Sequence, residues 1–137
     1  MSVTVLLPFR NAAPTHWELL LIDNASTDES AVIAAQWAKK DDRIRLIEEP
    51  NVGIAHALNS GLANSNCIYI ARMDADDISH PERLAEQVAF LDAHPNIGVL
   101  GTRVTFKTSV EQSLGMEAFV RWQNTIISPH EHYVKRF

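Results

Sequence analysis

The chain has very little cysteine: Cys67 is the single one among 137 residues, which excludes a disulfide framework. Cys67 lies in the apolar run Cys67-Ile68-Tyr69-Ile70-Ala71 and reads as a small buried hydrophobe, so a reducing compartment is expected. No apolar run approaches the roughly 20 residues of a membrane-spanning helix. The chain enters Val3-Thr4-Val5-Leu6-Leu7 without a basic segment or a long apolar one, so no signal peptide is expected. Basic charge is also short. A net charge of −5 argues against nucleic acid as the main partner. What remains is ordinary for a soluble domain, 46% hydrophobic and 21% charged, and long enough for one core. The expected location is cytoplasmic, with peripheral attachment at the inner face of a membrane left open.

Short apolar runs alternate with helical patterns. Val3 to Leu7 reads as a strand that stops at Pro8. Glu18 to Ile22 is near-continuously apolar, like a strand buried on both faces. Ser26 to about Lys39 reads as a helix, with capping-box spacing between Ser26 and Glu29 and with Val32, Ile33 and Trp37 as apolar positions. Arg43 to Ile47 alternates as a third strand. Gly53 to about Ala63 is a helix with Ile54, Ala57, Leu58 and Leu62 on one side. Cys67 to Arg72 is the fourth strand. A helix capped by Ser79 or His80 carries Leu84, Val88 and Leu91 on one stripe. Ile97 to Phe106 reads as a further strand and Met116 to about Ile126 as a last helix. Trp17, Trp37 and Trp122 read as packing residues. The alternation predicts an α/β fold with a mostly parallel sheet flanked by helices, as one domain over 1–137.

One connection is too short for that picture. A parallel crossover needs about a dozen or more residues, usually a helix. Only Phe9 to Trp17 separate Pro8 from Glu18, and Pro14 disfavours a helix there. Either the first two strands are not parallel neighbours or the first crossover helix is missing. A missing helix would leave a sheet face for a partner, such as a second copy, to cover.

The chemistry collects at strand ends, where α/β sheets bind ligands. Pro8-Phe9-Arg10-Asn11 ends the first strand, Asp23-Asn24-Ala25-Ser26 the second and Asp74-Ala75-Asp76-Asp77 the fourth. These three clusters are expected to converge. Three carboxylates in four residues repel one another, and a divalent cation relieves this. On an extended backbone Asp74 and Asp76 point the same way, one toward a metal and one toward a ribose. A solvated Asp-rich turn is the plain alternative. Asp23 and Asn24 offer acceptors and donors that suit a nucleobase edge, although such pairs also commonly close a strand. Arg10 could meet a diphosphate, and Asn51-Val52-Gly53 opens a helix whose N–H groups could face an anion or simply form a turn. His130-Glu131-His132 has no further ligand at zinc spacing.

In order and spacing, four motifs resemble the family-two glycosyltransferases of the GT-A fold. They are Val5 to Asn11, Leu21 to Asp28, Asn51 to Asn59, and Met73 to Asp77 with Pro81-Glu82-Arg83-Leu84. The resemblance covers about Val3 to Phe106. It implies a GT-A-type, Rossmann-like, mostly parallel sheet, and a nucleotide-diphospho-sugar of the UDP or dTDP type lying across the strand ends. By position it implies that Pro8 and Phe9 flank the base, that Asp23 and Asn24 contact it, and that Asp74 takes the ribose. Asp76 would bind Mn2+ or Mg2+ bridging the phosphates. The implied reaction is inverting transfer to a saccharide or lipid-linked acceptor hydroxyl, as in cell-wall or polysaccharide biosynthesis. The metal would stabilise the leaving diphosphate and a carboxylate would deprotonate the acceptor.

The chain departs from that pattern twice. Similar proteins carry a full helix where this chain has Phe9 to Trp17. Their catalytic base and acceptor elements lie beyond the Asp-x-Asp half, and no base is matched here; Glu117 and Glu131 are candidates by position only. The chain therefore reads as the donor half of a site with an incomplete acceptor half. The alternative is a non-catalytic nucleotide-sugar-binding or interaction module. A haloacid-dehalogenase-type phosphatase would use Asp74 as nucleophile and needs a Lys and a second acidic cluster. Lys107 and Lys135 are available, but no second acidic pair follows. An EF-hand is excluded by Ser79 and Ala85 at its Gly and Glu positions.

Overall fold

The computed structural model describes the backbone of residues 3–9 and all atoms of residues 17–107 and 114–128. The chain divides into two compact units, Met1–Gly98 and Val99–Phe137.

The first unit contains β1 (Val3–Phe9), β2 (Leu19–Asp23), α1 (Ser30–Ala38), β3 (Ile44–Glu48), α2 (Ile54–Asn64), β4 (Tyr69–Asp74) and α3 (Arg83–Ala93). Its sheet has the order β3-β2-β1-β4. The pair β2–β3 is parallel, whereas β1 is antiparallel to both β2 and β4. Three of the four strands therefore share a direction, as a mostly parallel α/β sheet requires, and β1 alone is reversed.

That reversal resolves the short connection. A strand that returns beside its predecessor in the opposite direction needs no crossover, and no helix separates β1 from β2 among the described residues. β1 also runs through Pro8 to Phe9, two residues beyond the expected stop. The reversal overturns one expectation. Val3 pairs with Asp23 and Thr4 with Asp74, while Phe9 pairs with Tyr69 at the opposite end of the sheet. Pro8 and Phe9 therefore lie away from the Asp23 and Asp74 ends, and the convergence of three clusters reduces to two.

Alternation on β2 sends Leu20 and Ile22 to one face, where both are fully buried with Ala57 of α2. Ile47 and Leu58 pack around them. Helix α2 lies against β2 and β1, and α1 against β3 and β2. Both helices approach through small residues. Ala34 is the buried residue of α1, and Ala57 and Gly61 are those of α2. The expected apolar face of α1 is accordingly turned outward: Val32, Ile33 and Trp37 are all exposed. Trp37 carries the Lys40 ammonium 4.9 Å from its ring centre, and Trp17 carries the Arg43 guanidinium at 3.9 Å. Cys67 is half-buried and precedes β4. On α3 the expected stripe holds, with Val88 buried and Leu84 and Leu91 half-buried.

At α3 the expected His80 cap bond is made: His80 Nδ1 accepts the Glu82 N–H at 3.4 Å, just before the helix. The expected Ser26 cap does not form, because α1 starts at Ser30, four residues after Ser26. Asp28 Oδ1 accepts the Ser30 N–H instead, at 3.0 Å.

In the second unit α4 spans Leu114–Gln123. The expected strand Ile97 to Phe106 does not form, and Val99 and Val104 are exposed. A strand requires a neighbouring ladder for its backbone groups. Here Val104 satisfies its N–H and C=O on the Asn124 side chain, at 2.9 and 2.7 Å. Among the described residues no helix is long and apolar enough to cross a membrane.

Candidate functional site

The register of β1 sets the site. Asp23 and Asp74 end β2 and β4, and the start of β1 lies between them. With two interstrand steps, those ends are about 10 Å apart, the scale of a nucleoside.

Asp23 and Asn24 are almost fully buried, at 7% and 3% exposure. A buried polar pair must find partners. Asp23 Oδ1 accepts the Ser26 N–H at 3.3 Å, and the Asp23 carbonyl accepts the Glu49 N–H at 2.8 Å. Asn24 reaches across to the β3–α2 connection. Its Nδ2 donates to the Glu49 and Asn51 carbonyls at 3.0 and 2.7 Å, and its Oδ1 accepts the Gly53 N–H at 2.7 Å. Both amide N–H groups are thereby used inside the protein, so the pair's outward polar capacity rests with Asp23. Ala25 turns the chain with φ 56°, a left-handed conformation. Ser26 Oγ is buried beside this turn and has no hydrogen-bond partner among the described residues. Sequence reading took Ser26 for a helix cap; its displacement from α1 is what leaves the hydroxyl here.

The connection Asn51-Val52-Gly53 is a braced turn. Glu49 Oε1 accepts the Asn51 backbone N–H at 2.9 Å and its side-chain N–H at 2.8 Å. These donors, the backbone one first, hold the Glu49 carboxyl below its ordinary range. Gly53 precedes α2 with φ 139°, which a side chain would strain.

The β4 end is built differently. Asp77 N–H donates to the Asp74 carbonyl at 3.1 Å, closing a turn through Ala75 and Asp76. The backbone is therefore not extended there, and Asp74 and Asp76 do not alternate along a strand as expected. Asp74 is half-buried, and Asp76 and Asp77 are exposed. Arg72 Nη2 reaches both Asp74 oxygens, at 2.6 and 2.9 Å. In turn the Arg72 carbonyl accepts from Arg83 Nη2 at 3.2 Å, tying α3 to β4. Sequence reading passed over Arg72, although its position two before Asp74 on a strand puts both on one face.

No group of three His, Cys, Asp or Glu side chains that could cage a metal occurs among the described residues. A cation that keeps water and phosphate ligands needs only one or two protein carboxylates. The exposed Asp76 and Asp77 fit that demand, while the Asp74 charge is already matched by Arg72. Glu117 is exposed in the first turn of α4. Arg10, Glu131 and the His130–His132 pair lie outside the described residues.

The family model for glycosyl transferase family 2 matches residues 5–134. The chain is 48% identical over 89 residues to Bacillus subtilis EpsE, whose name assigns it to the glycosyltransferases; the match covers 64% of this chain and 32% of EpsE. It is 34% identical over 88 residues to the amylovoran biosynthesis glycosyltransferase AmsE of Erwinia amylovora, covering 64% of this chain and 33% of AmsE. It is 40% identical over 92 residues to the bifunctional glycosyltransferase pgtA of Dictyostelium discoideum, covering 62% and 12%. The aligned region thus spans about a third or less of these relatives. No solved structure matches the chain.

Proposed function

The chain belongs to glycosyl transferase family 2, and on that premise we propose that it binds a nucleotide-diphospho-sugar of the UDP or dTDP type for transfer to an acceptor hydroxyl. One observation carries the reading. Asp23 and the run Asp74 to Asp77 share one end of the sheet across β1, about 10 Å apart, one buried and one open. In this reading the Asp23 carboxylate accepts the imide N–H of uracil or thymine. Asp74, oriented by Arg72, accepts from the ribose hydroxyls. Asp76, with Asp77 beside it, would hold Mn2+ or Mg2+ against the diphosphate. The metal supplies charge stabilisation of the leaving group, and transfer proceeds with inversion. The acceptor is a saccharide or lipid-linked saccharide, on the cytoplasmic side, and the name of AmsE supports polysaccharide biosynthesis as the setting. A homodimer would cover the side of β4 that exposes Ile70.

Calorimetry with UDP and dTDP, with and without Mn2+, tests the reading. Metal-dependent binding that disappears in Asp76→Ala is expected. An absence of heat with either nucleotide at millimolar concentration overturns it.

A second reading is a donor-binding module without transfer activity. Donor-sugar hydrolysis or transfer above background, lost in Asp76→Ala, decides against this one.

A further inference from the structure

We infer that Asn24 is a positioning residue for nucleotide recognition and not itself a contact to the base. The inference rests on the donor-binding reading above and assigns a separate task to each member of the Asp23-Asn24 pair.

An asparagine side chain has two N–H donors and one carbonyl acceptor in a plane. Asn24 spends both donors on the Glu49 and Asn51 carbonyls and uses the acceptor for the Gly53 N–H, while 3% exposed. A base edge is offered neither N–H. The same three bonds join the β2 end to the entry of α2 across 25 to 29 residues of sequence. The main-chain bond from Glu49 N–H to the Asp23 carbonyl, at 2.8 Å, completes the clasp. Asp23 is thus fixed from both sides: by this clasp behind it, and by the Ser26 N–H on its carboxylate.

The chemistry explains why this position is Asn. An ionised Asp would keep the Gly53 bond but set its second oxygen against two carbonyl oxygens. Ser or Ala would leave these part-buried carbonyls of the connection without their donor. Gly53 is the other half of the device. Its φ of 139° lets the N–H meet Asn24, and a Cβ there is strained.

The test compares Asn24→Asp and Gly53→Ala in the full chain by calorimetry and thermal melting. The titrants are UDP, CDP, and pyrophosphate with Mn2+. CDP matters because cytosine lacks the imide N–H that Asp23 would accept. Each variant is expected to weaken UDP binding about tenfold, the scale of one misplaced charged hydrogen bond, and to shrink the preference for UDP over CDP. Manganese-pyrophosphate binding at the Asp74 to Asp77 end is expected to stay within about twofold, because that turn is far from the clasp in sequence and partners. The double variant is expected to be no weaker for UDP than the worse single. The inference is overturned if Gly53→Ala leaves UDP binding unchanged while Asn24→Asp abolishes it, since Asn24 would then touch the base. It is equally overturned if UDP and pyrophosphate binding fall together with the melting temperature, which marks general loss of structure. Should Asn24→Asp not fold, Gly53→Ala alone carries the same comparison. A wild-type chain that binds neither nucleotide removes the donor-binding reading itself, an outcome distinct from both.

Discussion

The two ends of the site are made by opposite means. At the β2 end the polar groups are buried and bonded to a connection 25 to 29 residues away. At the β4 end Asp76 and Asp77 are exposed and Asp74 is half-buried, and the Asp74 pairing with Arg72 comes from two residues away. A buried, cross-braced group can hold a fixed hydrogen-bond geometry, as base reading demands. Exposed carboxylates on a turn can accept a hydrated ion and let it go again, as phosphate chemistry demands. The difference teaches that precision and exchangeability occupy separate strands of one sheet.

The contrast is most severely tested by Asn24→Ala. Two carbonyls and one N–H in part-buried bonds lose their partners, and a loss of about 1–3 kcal/mol is expected in urea unfolding. A loss below about 1 kcal/mol would mean that water replaces the amide and that the β2 end is as open as the other.

A smaller effect follows from acid. The Glu49 carboxyl is held below its ordinary range by Asn51, backbone N–H first. A depressed folded value means that its contribution is present above the unfolded Glu value. That contribution is lost as pH falls below the ordinary range and through the folded value. NMR titration of Glu49, with exchange protection of the Asn51 amide, is expected to show the brace opening in that acidic window. In Asn51→Ala the titration should move upward. A Glu49 midpoint unchanged by Asn51→Ala removes the side-chain half of the brace and leaves the backbone N–H as its sole support.

The smallest effect is expected from Arg72→Ala. The pair's side chains are 54% and 45% exposed, so stability should change by no more than about 0.5 kcal/mol. A larger loss would show the β4 end to be structurally committed as well.

The sequence made some of this legible and hid the rest for physical reasons. The alternation of β2, α1, β3, α2, β4 and α3 was readable because each element has its own periodicity. The acidic turn and Asp23-Asn24 were readable as strand-end chemistry. The direction of β1 was readable only as a choice, because strand pattern carries no polarity. Periodicity groups Val32, Ile33 and Trp37 on one side of α1 but does not say which side meets the sheet; close packing through Ala34 decided that. The apolar run from Ile97 has strand propensity but pairs with no strand among the described residues. The task of Asn24 was hidden because the Glu49, Asn51 and Gly53 groups that its side chain bonds are distant in sequence.

The reversed β1 also orders events in time. Its antiparallel pairing with β2 closes only the short stretch between Leu6 and Leu20, a hairpin-scale step of roughly 1–10 μs, and needs no helix in place. The parallel pairing of β2 with β3 must wait for α1 to span the gap, and the Asn24 clasp must wait for both. Such long-range closures are the slow ones. The pairing of β1 with β4 joins residues 60 to 70 apart and is the longest closure in the sheet, so the β4 edge is expected to lock last and to open first.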